Sequence, residues 1–295
     1  MTARASLRAL APATLTMLVL ATSAWLAPGV AQATPSPATN GPHPPAVADD
    51  PPITPGSGFQ SFSWPGGGTP FDAEGPFTYS AAAPSVVTVT DAFCKGDQFQ
   101  VFDNGVAIGT TSSVPVDSSC GVAGTTSDPD VAVHDIGYSH ESFLLPAGNH
   151  SITIQTIVNP FPGGGAAFLR VDTCTVFTPD ANGILTGTDG PDVICGTAGN
   201  DRIAGLGGDD LIFAFAGNDQ ISAGDGNDTV FAGSGNDMIS GGAGNDVLDG
   251  QQGDDQVVGG DGDDALYGGT GTNQLSGGTG TDTCRDGTTA SCELP

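Results

Sequence analysis

GTDGPDVIC-GTAGNDRIA-GLGGDDLIF-AFAGNDQIS-AGDGNDTVF-AGSGNDMIS-GGAGNDVLD-GQQGDDQVV-GGDGDDALY-GGTGTNQLS-GGTGTDTCR, residues 187–285, is one nine-residue pattern repeated eleven times without slip or insertion. Place four is Gly in every repeat, from Gly190 to Gly280. A turn that needs positive φ at one fixed point demands this. Places seven to nine form an x-apolar-x triplet, centred on Ile194, Ile203, Ile212, Ile221, Val230, Ile239, Leu248, Val257, Leu266, Leu275 and Cys284. One inward side chain between two outward ones is the period-two signature of a strand. A nine-residue unit cannot bury its own apolar residue, but stacked units can, so the period implies a solenoid. Two nonads per coil would give two short parallel sheets around the aliphatic column, and eleven nonads roughly five and a half coils. The alternative is a disordered Gly/Asp-rich tract. Disorder does not hold an aliphatic residue in one frame across ten nonads.

Place six is Asp192, Asp201, Asp210, Asp219, Asp228, Asp237, Asp246, Asp255, Asp264 and Asp282, with Asn273 the exception; place five adds Asp209, Asp254 and Asp263. Stacking brings these carboxylates within a few ångströms of one another, where they repel unless a cation stands between coils. Ca²⁺ suits such a site, because it accepts six to eight oxygens at flexible geometry, backbone carbonyls included. Mg²⁺ demands a tighter octahedron and keeps its waters. Zinc and copper prefer His or Cys, and the repeats contain no His.

On these residues the segment 187–285 resembles the RTX, or hemolysin-type calcium-binding, nonapeptide repeat family. Repeats with Asn-Asp or Asp-Asp at places five and six, from 196–204 to 259–267, carry the likeness most fully. The resemblance implies a parallel β-roll. Calcium would sit between loops of alternate repeats, held by place-six Asp side chains and by carbonyls of places one, three and five. Among the place-one carbonyls would be those of Gly196, Gly205, Gly241, Gly250 and Gly259. Pairing each nonad with the one two further on allows about nine ions, eleven minus two. The end repeats depart from the pattern: Pro191 replaces a polar residue, Asn273 lacks the charge, and Thr272 and Thr281 stand in place five.

The formal net charge is −27. Residues 179–295 hold nineteen Asp and one Glu against two Arg, which is −18. The acidity thus tracks the repeats, and it argues against nucleic acid as a partner, since that needs a basic face. Residues 1–33 read as a signal peptide: Arg4 and Arg8, an apolar stretch from Leu10 to about Leu26, then Ala31-Gln32-Ala33 as a cleavage site. A membrane anchor is the alternative. Thr14, Thr16, Thr22 and Ser23 thin its hydrophobicity, and no later segment is apolar enough to span a bilayer. Export fits calcium, which fills weak sites at the millimolar levels found outside cells. Six Cys in an exported chain suggest disulfides. Sequence proximity suggests Cys94–Cys120, Cys174–Cys195 and Cys284–Cys292.

Residues 34–56 are a Pro-rich linker. Residues 57–178 read as a β-sandwich with strands near 76–80, 86–90, 98–103, 106–110, 142–145, 151–158 and 166–172. Asn104-Gly105 marks a two-residue hairpin, and Ile152, Ile154 and Ile157 are expected to face inward. The phrases VTVTDAFCKGDQFQVFDNGVAIGTTS and YSHESFLLPAGNHSITIQ resemble a secreted β-sandwich module of bacterial and fungal surface proteins. The fold expected is therefore all-β: an N-terminal β-sandwich (57–178) followed by a C-terminal parallel β-roll with a cap (179–295).

Catalytic motifs do not emerge. His140-Glu141 opens like a zincin helix, but Leu144 stands where the second His is required. No G-x-S-x-G is present. Asp128, Asp130, His134 and Asp135 form either a metal cluster or a solvated loop, and Trp64, Phe71, Phe77 and Tyr79 either a sugar-stacking platform or core. Place three of the repeats carries no Thr row, against a flat ice-matching face. The reading is a secreted, non-enzymatic calcium-binding scaffold or adhesive module. Calcium ions are its partners, with a cell-surface or glycan ligand for 57–178. The alternative is an enzyme or glycan-binding protein with its site in 57–178.

Overall fold

The computed structural model describes residues 53–64, 71–72, 76–91, 97–112, 140–158, 165–287 and 289–292. The expected leader, most of the linker, the Cys94–Cys120 pair and the Asp128, Asp130, His134, Asp135 group lie outside these residues.

The described part of 57–178 consists of antiparallel strands in two sheets. One runs β1 (Gln60–Trp64), β9 (Gly165–Thr173), β4 (Ser85–Asp91), β7 (His140–Leu145). The other runs β2 (Phe71–Asp72), β8 (Gly148–Val158), β5 (Gln98–Asp103), β6 (Val106–Thr110), with β3 (Phe77–Ala81) also on β8. Alternation along each strand sends Phe77, Tyr79, Val87, Val89, Phe99, Val101, Ile152, Ile154, Leu169 and Val171 into one core. Phe77 and Tyr79 are therefore core, as their spacing on β3 dictates. The turn at Asn104-Gly105 has φ of 49° and 79°, the doubly left-handed backbone that joins β5 to β6 in register with strand twist. Ile157 departs from the expectation. Strict period two through Ile152 and Ile154 makes Thr156 the next buried residue and leaves Ile157 on the other face, half-buried.

The repeats form a succession of short parallel strands in two sheets. A seven-stranded sheet joins β10 (Leu185–Thr186), β12 (Arg202–Gly207), β14 (Gln220–Asp225), β16 (Met238–Ala243), β18 (Gln256–Asp261), β20 (Gln274–Thr279) and β22 (Thr289–Ser291). A six-stranded sheet joins β11 (Val193–Cys195), β13 (Leu211–Phe213), β15 (Thr229–Phe231), β17 (Val247–Asp249), β19 (Ala265–Tyr267) and β21 (Thr283–Arg285). Partners lie eighteen residues apart, as in Ile203↔Ile221 and Ile212↔Val230, so one coil is two nonads. The place-eight residues from Ile194 to Leu275 are buried in one column between the sheets, with Cys284 partly buried against it.

The roll is longer than the eleven nonads. Leu185 adds a core residue from a half-coil at 178–186, which has neither the place-four Gly nor the place-six Asp. There Asp180 closes the turn, its Oδ1 accepting the backbone N–H of Asn182 and Ile184. At the other end β22 pairs Ala290 with Leu275, a step of fifteen residues instead of eighteen. The Cys284–Cys292 disulfide ties this shortened half-coil down. Cys174–Cys195 joins the last strand of the antiparallel part to the first coil. Around it Val86, Phe213 and Phe231 form a third apolar cluster. That cluster buries Val86 on the face of β4 opposite Val87 and Val89.

Candidate metal centre

Two loops per coil split the place-six residues into two columns. One holds Asp192, Asp210, Asp228, Asp246, Asp264 and Asp282, the other Asp201, Asp219, Asp237, Asp255 and Asn273. Within each column Oδ1 accepts the backbone N–H of the place-six residue one coil earlier, at 2.7–3.1 Å, from Asp210 on Asp192 to Asp282 on Asp264. The aliphatic strand that follows in sequence draws the carboxylate inward, so the side chain is buried although it is ionisable.

The second oxygen carries the chemistry. Oδ2 of Asp210, Asp219, Asp228, Asp237, Asp246, Asp255 and Asp264 is buried and has no hydrogen-bond donor. A buried carboxylate oxygen without a donor is costly unless a proton or a cation reaches it. Place one shows what surrounds it. A Cβ added to Gly241 would strike Asp246 Oδ2 and lie 2.7 Å from the carbonyl oxygen of Gly259. At Gly205 it would strike Asp210 Oδ2 and the Ala223 carbonyl, and at Gly259 it would strike Asp264 Oδ2 and lie 2.5 Å from the Gly277 carbonyl. Gly250 stands in the same way beside Asp255 Oδ2, and Gly196 beside Asp201 Oδ2 and the Ala214 carbonyl. Each cradle with such a carbonyl therefore sets it and a carboxylate oxygen, two acceptors, around one small space.

These donors are all oxygen, and no three His, Cys, Asp or Glu side chains converge among the described residues. One carboxylate with backbone carbonyls fits a hard, adaptable cation such as Ca²⁺ and not zinc or copper. Burial, first, and neighbouring carboxylates push Asp210 and Asp219 up to about 6 and Asp246 and Asp255 up to about 7, against the pull of the donated N–H. Asp228, Asp237 and Asp264 are raised too, chiefly by burial. The fold thus holds these groups where their charge is uncompensated by protein alone.

Place five does something else. Asp209, Asp254 and Asp263 are not gathered into the cradles. Their Oδ1 atoms accept the N–H of Asn227, Thr272 and Thr281 one coil later, on the outside. Asn200, Asn218, Asn227, Asn236 and Asn245 do the same, which makes a polar ladder. Place one is Ala at Ala214 and Ala223, and their carbonyls line cradles as those of glycine do, because the carbonyl is independent of the side chain.

His140 and Glu141 stand on β7, a strand, without the helix that a zincin motif needs. His150 is buried, its ring bonded to Asp103 Oδ2 through Nδ1 and to the Pro146 carbonyl through Nε2, both at 2.9 Å, and stacked on Tyr79.

The family model of the RTX calcium-binding nonapeptide repeat (4 copies) matches residues 180–212, 196–230, 213–248, 222–257 and 249–284. No curated protein matches the chain. Among solved structures, the catalytic domain of GH87 alpha-1,3-glucanase in complex with nigerose is 13% identical, over 76% of this chain and 54% of that one, at a TM-score of 0.20. The catalytic unit of a thermostable GH87 alpha-1,3-glucanase from Streptomyces thermodiastaticus strain HF3-3 is 14% identical, over 72% and 50%, at 0.20. This chain spans about half the length of these structures, and scores so low bear on neither fold nor function. Residues 180–284 are RTX repeats, a family that binds calcium, built here as a parallel β-roll.

Proposed function

We propose that this is a secreted, non-enzymatic calcium-binding protein whose roll folds around Ca²⁺ outside the cell and acts as a scaffold or display module. The observation that carries the reading is the set of seven buried Oδ2 atoms without a donor. At neutral pH their charge opposes folding until a cation enters, and extracellular modules work at millimolar calcium. The ions would be held by the place-six Asp side chains and by carbonyls of places one, three and five. Residues 1–33 serve as the signal peptide, 34–56 as the linker, 57–178 as the head and 179–295 as the roll with its cap. The head binds a cell-surface or glycan ligand, and the disulfides support an oxidising compartment.

Calorimetric titration of the full chain with calcium tests the proposal. Saturable binding in the millimolar range or tighter is expected, with magnesium failing to replace calcium. No binding, or equal binding of magnesium, contradicts it.

A further inference from the structure

We infer that three of the four ends of the two calcium columns are closed by this chain's own hydrogen-bond donors, so that Thr188, Thr197 and Asn273 replace ions at three loops. The inference rests on the calcium reading above and assigns which loops take metal.

Asn273 is fully buried, and its Oδ1 accepts the N–H of Asp255 as every place-six Asp from Asp210 onward does for the residue one coil earlier. Its Nδ2 occupies the position of the other oxygen. That nitrogen donates to the carbonyl of Gly268 at 2.7 Å and lies 3.3 Å from the carbonyl of Asp286. Asp286 stands eighteen residues after Gly268, the same step that separates Gly241 from Gly259. A Cβ on Gly268 would meet Asn273 Nδ2 and the Asp286 carbonyl, both at 2.7 Å, the counterpart of the Asp246 cradle. The amide therefore supplies the positive partner that an acidic loop lacks. An uncharged donor between two carbonyls leaves nothing for a cation to neutralise.

The N-terminal loops reach the same result by a different route. From the third nonad onward place two is left-handed in every loop: Leu206, Phe215, Gly224, Gly233, Gly242, Gln251, Gly260, Gly269 and Gly278. Thr188 and Thr197, the first two place-two residues, are not left-handed. Their backbone N–H turns to the carboxylate, reaching Asp192 Oδ2 and Asp201 Oδ2 at 2.7 Å, and each hydroxyl adds a second bond at 2.9 and 3.0 Å. Asp192 accepts a further hydroxyl, from Thr175, on Oδ1. These two carboxylates are satisfied where the buried seven are not.

Native mass spectrometry of the full chain in calcium tests this by counting ions. The unaltered chain should carry at most eight, one for each of the seven unpartnered Oδ2 atoms and one at Asp282, whose Oδ2 stands beside Gly277. Asn273→Asp should carry one more, because it restores the acceptor. Thr188→Gly combined with Thr197→Gly, at the opposite end, should carry two more, because the hydroxyls are gone and place two is free to turn left-handed. Nine ions on the unaltered chain, or no gain in either variant, overturns the inference while calcium binding stands. No ions on the unaltered chain overturns the reading it rests on.

Discussion

Asp237 shows how one residue serves both fold and metal. Its Oδ1 holds the N–H of Asp219, and its Oδ2 has no donor. Asp237→Asn should therefore keep the ladder, close its own cradle and cost one ion without unfolding the roll. Asp228→Ala also strips the acceptor from the buried N–H of Asp210. It should cost about 1–3 kcal/mol in calcium, measured by thermal unfolding. Equal effects of the two variants would contradict the division of labour between the two oxygens. The place-six row was legible in the sequence, because strict periodicity exposes it. The split between the two oxygens was not, since it depends on what lies one coil away. Asn273 shows the same limit. Its lost charge was visible, but the carbonyls its amide bridges come from residues 268 and 286.

The same column sets the pH response. Asp210 and Asp219 reach about 6 and Asp246 and Asp255 about 7, mainly through burial. A carboxyl whose folded value is raised holds its proton more tightly in the fold than in the unfolded chain, where it titrates near about 4. That stabilisation is complete below about 4 and is lost as pH rises through about 6–7. After calcium is removed by dialysis, the chain should be more ordered at about pH 5 than at about pH 8 by far-UV circular dichroism. With calcium the trend reverses, because protons compete for the same oxygens. A metal-free chain more ordered at the higher pH would contradict this.

Among the elements, the place-two turn is one where coils pack backbone on backbone. Gly233 has φ of 108°, and a Cβ there would fall on the carbonyl of Phe215. Gly233→Ala should therefore lower the stability of the calcium-loaded chain by about 1–3 kcal/mol. Leu206 holds φ of 82° with its side chain half in solvent. Leu206→Gly should raise the melting temperature, because left-handed backbone costs a branched side chain about 1–2 kcal/mol that glycine avoids. A fall would mean that the side chain contributes more than the strain costs. The place-eight column and the strands from β3 to β9 were readable from alternation. The half-coils at β10 and β22 were not, because neither keeps the Gly and Asp marks and β22 is three residues out of step. The short β1 and β2 are held by pairing to β9 and β8, which no local pattern announces.

At the scale of the whole molecule, covalent ties and charge act together. Cys284–Cys292 fastens the final half-coil, and Cys174–Cys195 anchors the first. Replacing Cys284 and Cys292 together by Ser should lower stability by about 2–4 kcal/mol, read by denaturant unfolding in calcium. The −18 carried by residues 179–295, nineteen Asp and one Glu against two Arg, is why the roll is expected to assemble only where calcium is abundant. Far-UV circular dichroism of the full chain, titrated with calcium and then with excess chelator, tests that most directly. Calcium-driven folding predicts a cooperative gain of β-sheet signal by millimolar calcium and its loss on chelation. The same β-sheet spectrum with and without calcium would contradict it.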